Sequence, residues 1–158
     1  MILIADTSGL FAALDTDHAG SEVAYACLEA AGLVVVSPMV LAELDHLARR
    51  SGRLSGQPKS VGASRARAIV SWVVRQQDKG RISVPEVRPE ILGRALTVMN
   101  RYESLALDLA DAVNVALAAE YDTDAILTLD QRDFRVVRPL GAHQAFRILP
   151  AELPVPRG

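Results

Sequence analysis

Asp6 ends the apolar run Met1 to Ala5, and Glu43 stands between Ala42 and Leu44 in the apolar stretch PMVLAEL. Asp108 and Asp111 open an alanine-rich segment, and Asp130 and Asp133 follow the apolar run Ala125 to Leu129. Asp6, Glu43, Asp111 and Asp130 therefore come from separate elements, and Asp108 or Asp133 could join them. Carboxylates brought together cannot all stay ionised without a cation, because like charges oppose one another's ionisation. No thiolate pair or histidine cluster accompanies them, so the donors are hard oxygens, which select Mg²⁺ or Mn²⁺ over zinc. A divalent ion there offsets phosphate charge, acidifies a water and steadies a leaving oxygen, which is the chemistry of phosphodiester hydrolysis. The expectation is a nuclease.

Each acid also has a plainer explanation. Asp6 could cap the short helix Leu10 to Leu14 that follows the polar turn Thr7-Ser8-Gly9, whose two hydroxyls lie near it in sequence. Asp108 is the natural N-cap of the next acidic segment, and Asp111 falls in its first turn, where acids are favoured. Glu43 could pair with Arg49 or Arg50 on the solvent side, although an acid within so apolar a turn is costly without a partner. His46 stands alone and reads as a surface or core residue.

The elements that must position these acids alternate between strand and helix. Short apolar runs at Met1 to Ala5, Leu33 to Val36, Ile82 to Val84 and Ala125 to Leu129 read as strands, the first, second and last of these buried and the third ended by Pro85. Helices are expected at Ser21 to Ala31, from Ser37-Pro38 onward, at Ser64 to Lys79, at Pro89 to Tyr102 and after Asp108. The tail offers Val136-Val137 and Ile148-Leu149, enough for an edge strand. This alternation predicts an α/β fold of three layers, with a central, mostly parallel twisted sheet covered on both faces. If the main strands are parallel neighbours, their carboxyl ends gather the acids in one crevice.

The chain of 158 residues is half apolar, the size of one domain, expected over residues 1–150 with a terminal coil at 151–158. Its one cysteine, Cys27, sits among helix-packing neighbours and fits a reducing compartment. No long apolar run and no basic leader precede the first strand, so a cytoplasmic protein is expected. A net charge of −2 gives no global attraction to nucleic acid. Locally, however, no acid occurs from His46 to Gln77, while Arg49, Arg50, Arg53, Lys59 and Arg65 do, around a Gly- and Ser-rich stretch expected to be a flexible loop at 51–64. Such a basic segment beside a carboxylate cluster suits an RNA backbone. Trp72, between Val70 and Val73, is expected in a core or an interface.

In the order MILIADTSGL, PMVLAEL, LADA and LTLDQRDF, at these separations, the chain resembles the PIN domain, and especially its VapC-type toxin branch, over nearly its whole length. The resemblance implies a PIN-like fold and a Mg²⁺-dependent endoribonuclease, with Mn²⁺ able to substitute. Asp6, Glu43, Asp111 and Asp130 would be its acidic quartet, Asp6 and Asp111 holding the metal most directly and Glu43 and Asp130 completing the site, with Thr7 and Ser8 lining it. Asp111 is preferred because it precedes the small-residue helix and Asp130 because it directly ends the strand; Asp108 and Asp133 are second choices. The resemblance further implies water attack on RNA leaving a 5′-phosphate and a 3′-hydroxyl, a small VapB-like antitoxin as partner, and a homodimer. A processing nuclease of the same fold, or a PIN-like binding protein without activity, shares these residues. A receiver-type signalling domain would need a lysine after a late strand, and the chain's lysines are Lys59 and Lys79.

Overall fold

The computed structural model describes the backbone of residues 1–54 and 56–152, and the side chains of these apart from 52–54. Among them, five strands join in one sheet: β1 (Ile2–Ala5), β2 (Leu33–Val35), β3 (Ile82–Ser83), β4 (Ala125–Leu127) and β5 (Arg147–Leu149). The order is β3-β2-β1-β4-β5 and every neighbouring pair is parallel. Chain order reverses direction at β1, so the crevice between the carboxyl ends of β1 and β4 is where an open α/β sheet places its ligands.

Both faces of the central strands β1, β2 and β4 are apolar because both are covered. Leu3, Ala5, Val34, Leu127 and Leu149 point to one side, where α1 (Thr7–Leu14), α2 (Ser21–Ala30), α3 (Pro38–Leu54) and α4 (Lys59–Asp78) pack. Ile4, Val35, Ile126 and Ile148 alternate to the other, against α5 (Pro89–Arg101), α6 (Leu109–Glu120) and α7 (Gln131–Val136). Leu3, Ile4, Ile126 and Leu127 are wholly buried, each contributing roughly 1.5–3 kcal/mol relative to exposure. The result is the expected three-layer α/β/α arrangement. On the second face Phe134 and Phe146 meet edge to face with ring centroids 6.0 Å apart, tying α7 to the approach to β5.

Two boundaries depart from expectation. The stretch 51–64 is largely helical: α3 continues through Leu54 and α4 begins at Lys59, before the expected Ser64. Gly62 explains this, since a Cβ there would lie 2.7 Å from the Arg49 carbonyl oxygen, so the glycine serves close helix packing. Buried Ala66 continues that small-residue face. The second departure is at β4, which stops at Leu127; Leu129 is 38% exposed, and Asp130 does not directly end the strand. Residues 153–158 of the expected terminal coil lie outside the described residues.

Candidate active site

Asp6 follows β1 at the N-cap position of α1, but its side chain makes no capping bond. Its backbone carbonyl starts the helix by accepting from Leu10 N–H at 2.9 Å. The carboxylate is only 6% exposed and is held from three sides. Ser8 Oγ and Thr128 Oγ1 each donate to Oδ2 at 2.9 Å, and Asn114 Nδ2 approaches Oδ1 at 3.4 Å. Both hydroxyls are themselves oriented, Ser8 Oγ accepting from Leu129 N–H at 3.0 Å and Thr128 Oγ1 from Asp130 N–H at 3.1 Å. Two backbone donors of the β4–α7 connection thus reach Asp6 through hydroxyl relays, a charge-assisted arrangement that fixes one oxygen and leaves the other lightly held. Gly9 permits the close approach this needs, because a Cβ on it would stand 2.5 Å from the Leu127 carbonyl oxygen.

Glu43, half-buried on α3, accepts a 2.5 Å hydrogen bond at Oε2 from Thr7 Oγ1. The alternative ion pair with Arg49 is not formed, since Arg49 instead makes two bonds of 2.7 and 3.0 Å to Asp45, one turn back. That exposed pair lowers the Asp45 pKa through its hydrogen bond to Arg49. Thr7 and Ser8, consecutive in sequence, therefore serve two different acids.

The pair on α6 separates by role. Asp108 is the N-cap, accepting from Asp111 N–H at 2.9 Å, so the capping explanation holds for it. Asp111 is half-buried, and its pKa is pushed up to about 8, first by burial and then by the charges of Asp6, Asp108, Asp133 and Glu43. Asp111 is therefore the acid on which the others converge. Asp133, with its side chain 18% exposed, belongs to that group. Asp130 is exposed at the N-cap of α7 without a side-chain capping bond, and it is not among the charges acting on Asp111. The cause is local: Thr128 and Leu129 carry the chain past the strand end, and the first turn of α7 then presents Asp133.

Asn114 and Thr128, which were not among the residues expected at the site, also meet Asp6. Both are fully buried. Their signals exist, since Asn114 is an amide inside the apolar run Ala112 to Ala118, three residues after Asp111, and Thr128 interrupts an apolar strand just before Leu129. Of the expected RNA-binding cations, Arg50, Lys59 and Arg65 are exposed on α3 and α4, and Arg49 is tied to Asp45. The side chain of Arg53 lies outside the described residues. Arg50 is seven residues from Glu43, on the same face of α3 and about 10 Å along its axis. Trp72 is half-buried beside Phe11, Leu14 and Ile69 in a groove of about 350 Å³ that none of the clustered acids lines.

The model of the PIN domain matches residues 3–139 of this chain. The chain belongs to the PIN-domain family. It is 34% identical over 150 residues to ribonuclease VapC26 of Mycobacterium tuberculosis (strain ATCC 25618 / H37Rv), covering 94% of this chain and 100% of that protein. The crystal structure of Mycobacterium tuberculosis VapC20, described as a sarcin-ricin loop cleaving toxin, has a TM-score of 0.66 at 18% identity, over 82% of this chain and 91% of that one. VapBC2 from Rickettsia felis, solved bound to a DNA fragment from its promoter, gives a TM-score of 0.51 at 16% identity, over 78% of this chain and 84% of that one. These two structures share the fold with this PIN domain.

PIN-domain VapC nucleases are metal-dependent in general, and the donor set of this PIN domain suits a hard divalent cation. Among the described residues no three His, Cys, Asp or Glu side chains are already gathered as a closed metal cage. A cation that keeps several waters and takes only one or two carboxylates directly needs no such cage. Acids that repel one another across a crevice, with one of them kept neutral, are what such an ion would draw together. No helix among the described residues is long and apolar enough to cross a membrane.

Proposed function

We propose that this PIN domain is a Mg²⁺-dependent endoribonuclease of the cytoplasm and the toxin of a toxin–antitoxin pair, neutralised by a small VapB-like partner. The observation that carries this reading is the crevice at the ends of β1 and β4. There a buried Asp6, with Oδ2 fixed by two hydroxyls and Oδ1 held only at 3.4 Å, joins acids from α3, α6 and α7. The full-length likeness to a ribonuclease supports RNA as the substrate.

In this reading Asp6 and Asp111 hold the cation directly. Glu43, oriented by Thr7, and Asp133 complete the site, Asp133 taking the place first expected for Asp130. Mg²⁺, or Mn²⁺ in its place, supplies the charge that neutralises the scissile phosphate and acidifies the attacking water. In this reading water attacks, and the products carry a 5′-phosphate and a 3′-hydroxyl, as the family resemblance implies. Arg50, Lys59 and Arg65, within the acid-free stretch from His46 to Gln77, guide the RNA backbone. The homodimer is part of the same proposal, with Leu92 and Leu96, 41% and 58% exposed one turn apart on α5, as apolar surface for a second copy.

The test is expression in a bacterial host with mapping of new RNA 5′ ends. Growth arrest with discrete new 5′-phosphate ends, absent in Asp6→Asn and relieved by co-expressing a small VapB-like protein, is the expected result. Arrest that persists in Asp6→Asn would refute the nuclease.

A further inference from the structure

Asn114 is fully buried on α6, inside the run Ala112 to Ala118 that otherwise holds only alanine, valine and leucine. An amide in such a place is expected to have all its hydrogen-bonding groups engaged. Here Nδ2 has a single long contact, 3.4 Å to Asp6 Oδ1, and Oδ1 has no hydrogen-bond partner among the described residues. The amide orientation is settled by its neighbour, since the reverse flip would set two oxygens against each other. An apolar side chain would serve the core better at this position. The amide is therefore retained for something that donates to its oxygen, beside the acid that opens the site.

We propose that Asn114 is a positioning residue of the metal site, its Nδ2–H holding Asp6 Oδ1 toward the cation while its buried Oδ1 accepts a hydrogen from the cation's hydration water. The inference rests on the metal-dependent reading above. Asn114 lies three residues after Asp111 on α6, so one helix face carries both a metal-holding carboxylate and the amide that orients the other one. Ser8 and Thr128 fix Asp6 Oδ2 from one side, and Asn114 restrains Oδ1 from the other. Partners of this kind behind a ligand set how readily it meets the ion, and their loss typically weakens metal binding 10- to 100-fold.

The experiment is calorimetric titration of the purified chain with Mn²⁺, and separately with Mg²⁺, for wild type, Asn114→Leu, Asn114→Ala and Asp6→Asn. Thermal unfolding in EDTA and steady-state RNA cleavage accompany it. Asn114→Leu and Asn114→Ala are expected to stay folded, to bind Mn²⁺ at least about tenfold more weakly, and to lower kcat with KM for RNA unchanged. A core role alone would shift the unfolding temperature in EDTA and leave Mn²⁺ affinity untouched. Wild-type Mn²⁺ affinity in whichever of the two variants folds would overturn the assignment of Asn114 while leaving the metal site standing. No Mn²⁺ or Mg²⁺ binding by the wild-type chain would instead overturn the metal reading on which the inference rests.

Discussion

Asp6 and Asp111 are the same side chain in two environments. Asp6 is buried but supplied with hydroxyl donors, whereas Asp111 loses water and faces four other carboxylates. With a folded pKa of about 8 against about 3.9 unfolded, Asp111 favours the folded state fully below pH about 4. That contribution is lost as pH rises through the folded value. In EDTA, Asp111→Asn should therefore unfold about 4 °C or more above wild type at pH 8, the two converging near pH 4. Equal melting at pH 8 would contradict the repulsion. Thr128→Val keeps the shape and removes the hydroxyl that joins Asp130 N–H to Asp6, so it should destabilise by about 1–3 kcal/mol and weaken Mn²⁺ binding about tenfold; chemical denaturation and calorimetry read these separately. That Asp6, Glu43 and Asp111 come near one another was legible because acids in apolar surroundings need a reason. Thr128 and Asn114 were not, because a polar residue inside an apolar run looks the same whether it is tolerated or needed.

At the scale of elements, the strands and the order of helices could be read from hydrophobic pattern, since strands buried on both faces, as β1, β2 and β4 are, appear as continuous apolar runs. The α3–α4 connection could not. Glycine and serine there suggested a loop, but Gly62 is where α4 meets the Arg49 backbone, and packing between helices outweighs the weak intrinsic propensity of glycine. The strand end at Leu127 was likewise hidden, since Leu129 is as apolar in sequence as the residues buried before it, and that is why Asp130 read as the acid directly ending the strand. Glycines at two places should respond in opposite ways. Gly9→Ala forces a Cβ against the Leu127 carbonyl and should destabilise by about 1–3 kcal/mol. Gly93→Ala, on α5 with open space around it, should stabilise by roughly 0.5–1 kcal/mol. Urea unfolding of both decides whether close approach at Gly9 holds α1 against β4.

Across the whole molecule, charge is sorted by place while its sum stays near zero. The chain carries a net charge of −2, yet the crevice gathers acids and the sequence from His46 to Gln77 contains none. In the function proposed above, a polyanion would be guided by the basic stretch toward a site that needs a cation to receive it. Arg50→Glu with Lys59→Glu should weaken RNA binding with a shallower salt dependence and leave Mn²⁺ affinity unchanged. Unaltered RNA affinity would leave that face as ordinary surface. The acids opening on this crevice form, in the function proposed above, a metal-dependent ribonuclease site. The most direct test is cleavage of a defined structured RNA by the purified chain in Mg²⁺, in Mn²⁺ and in EDTA, for wild type and Asp6→Asn, with the new ends mapped. Cleavage that requires both the metal and Asp6 and leaves 5′-phosphates is the expected result; cleavage that survives EDTA or Asp6→Asn would contradict the account.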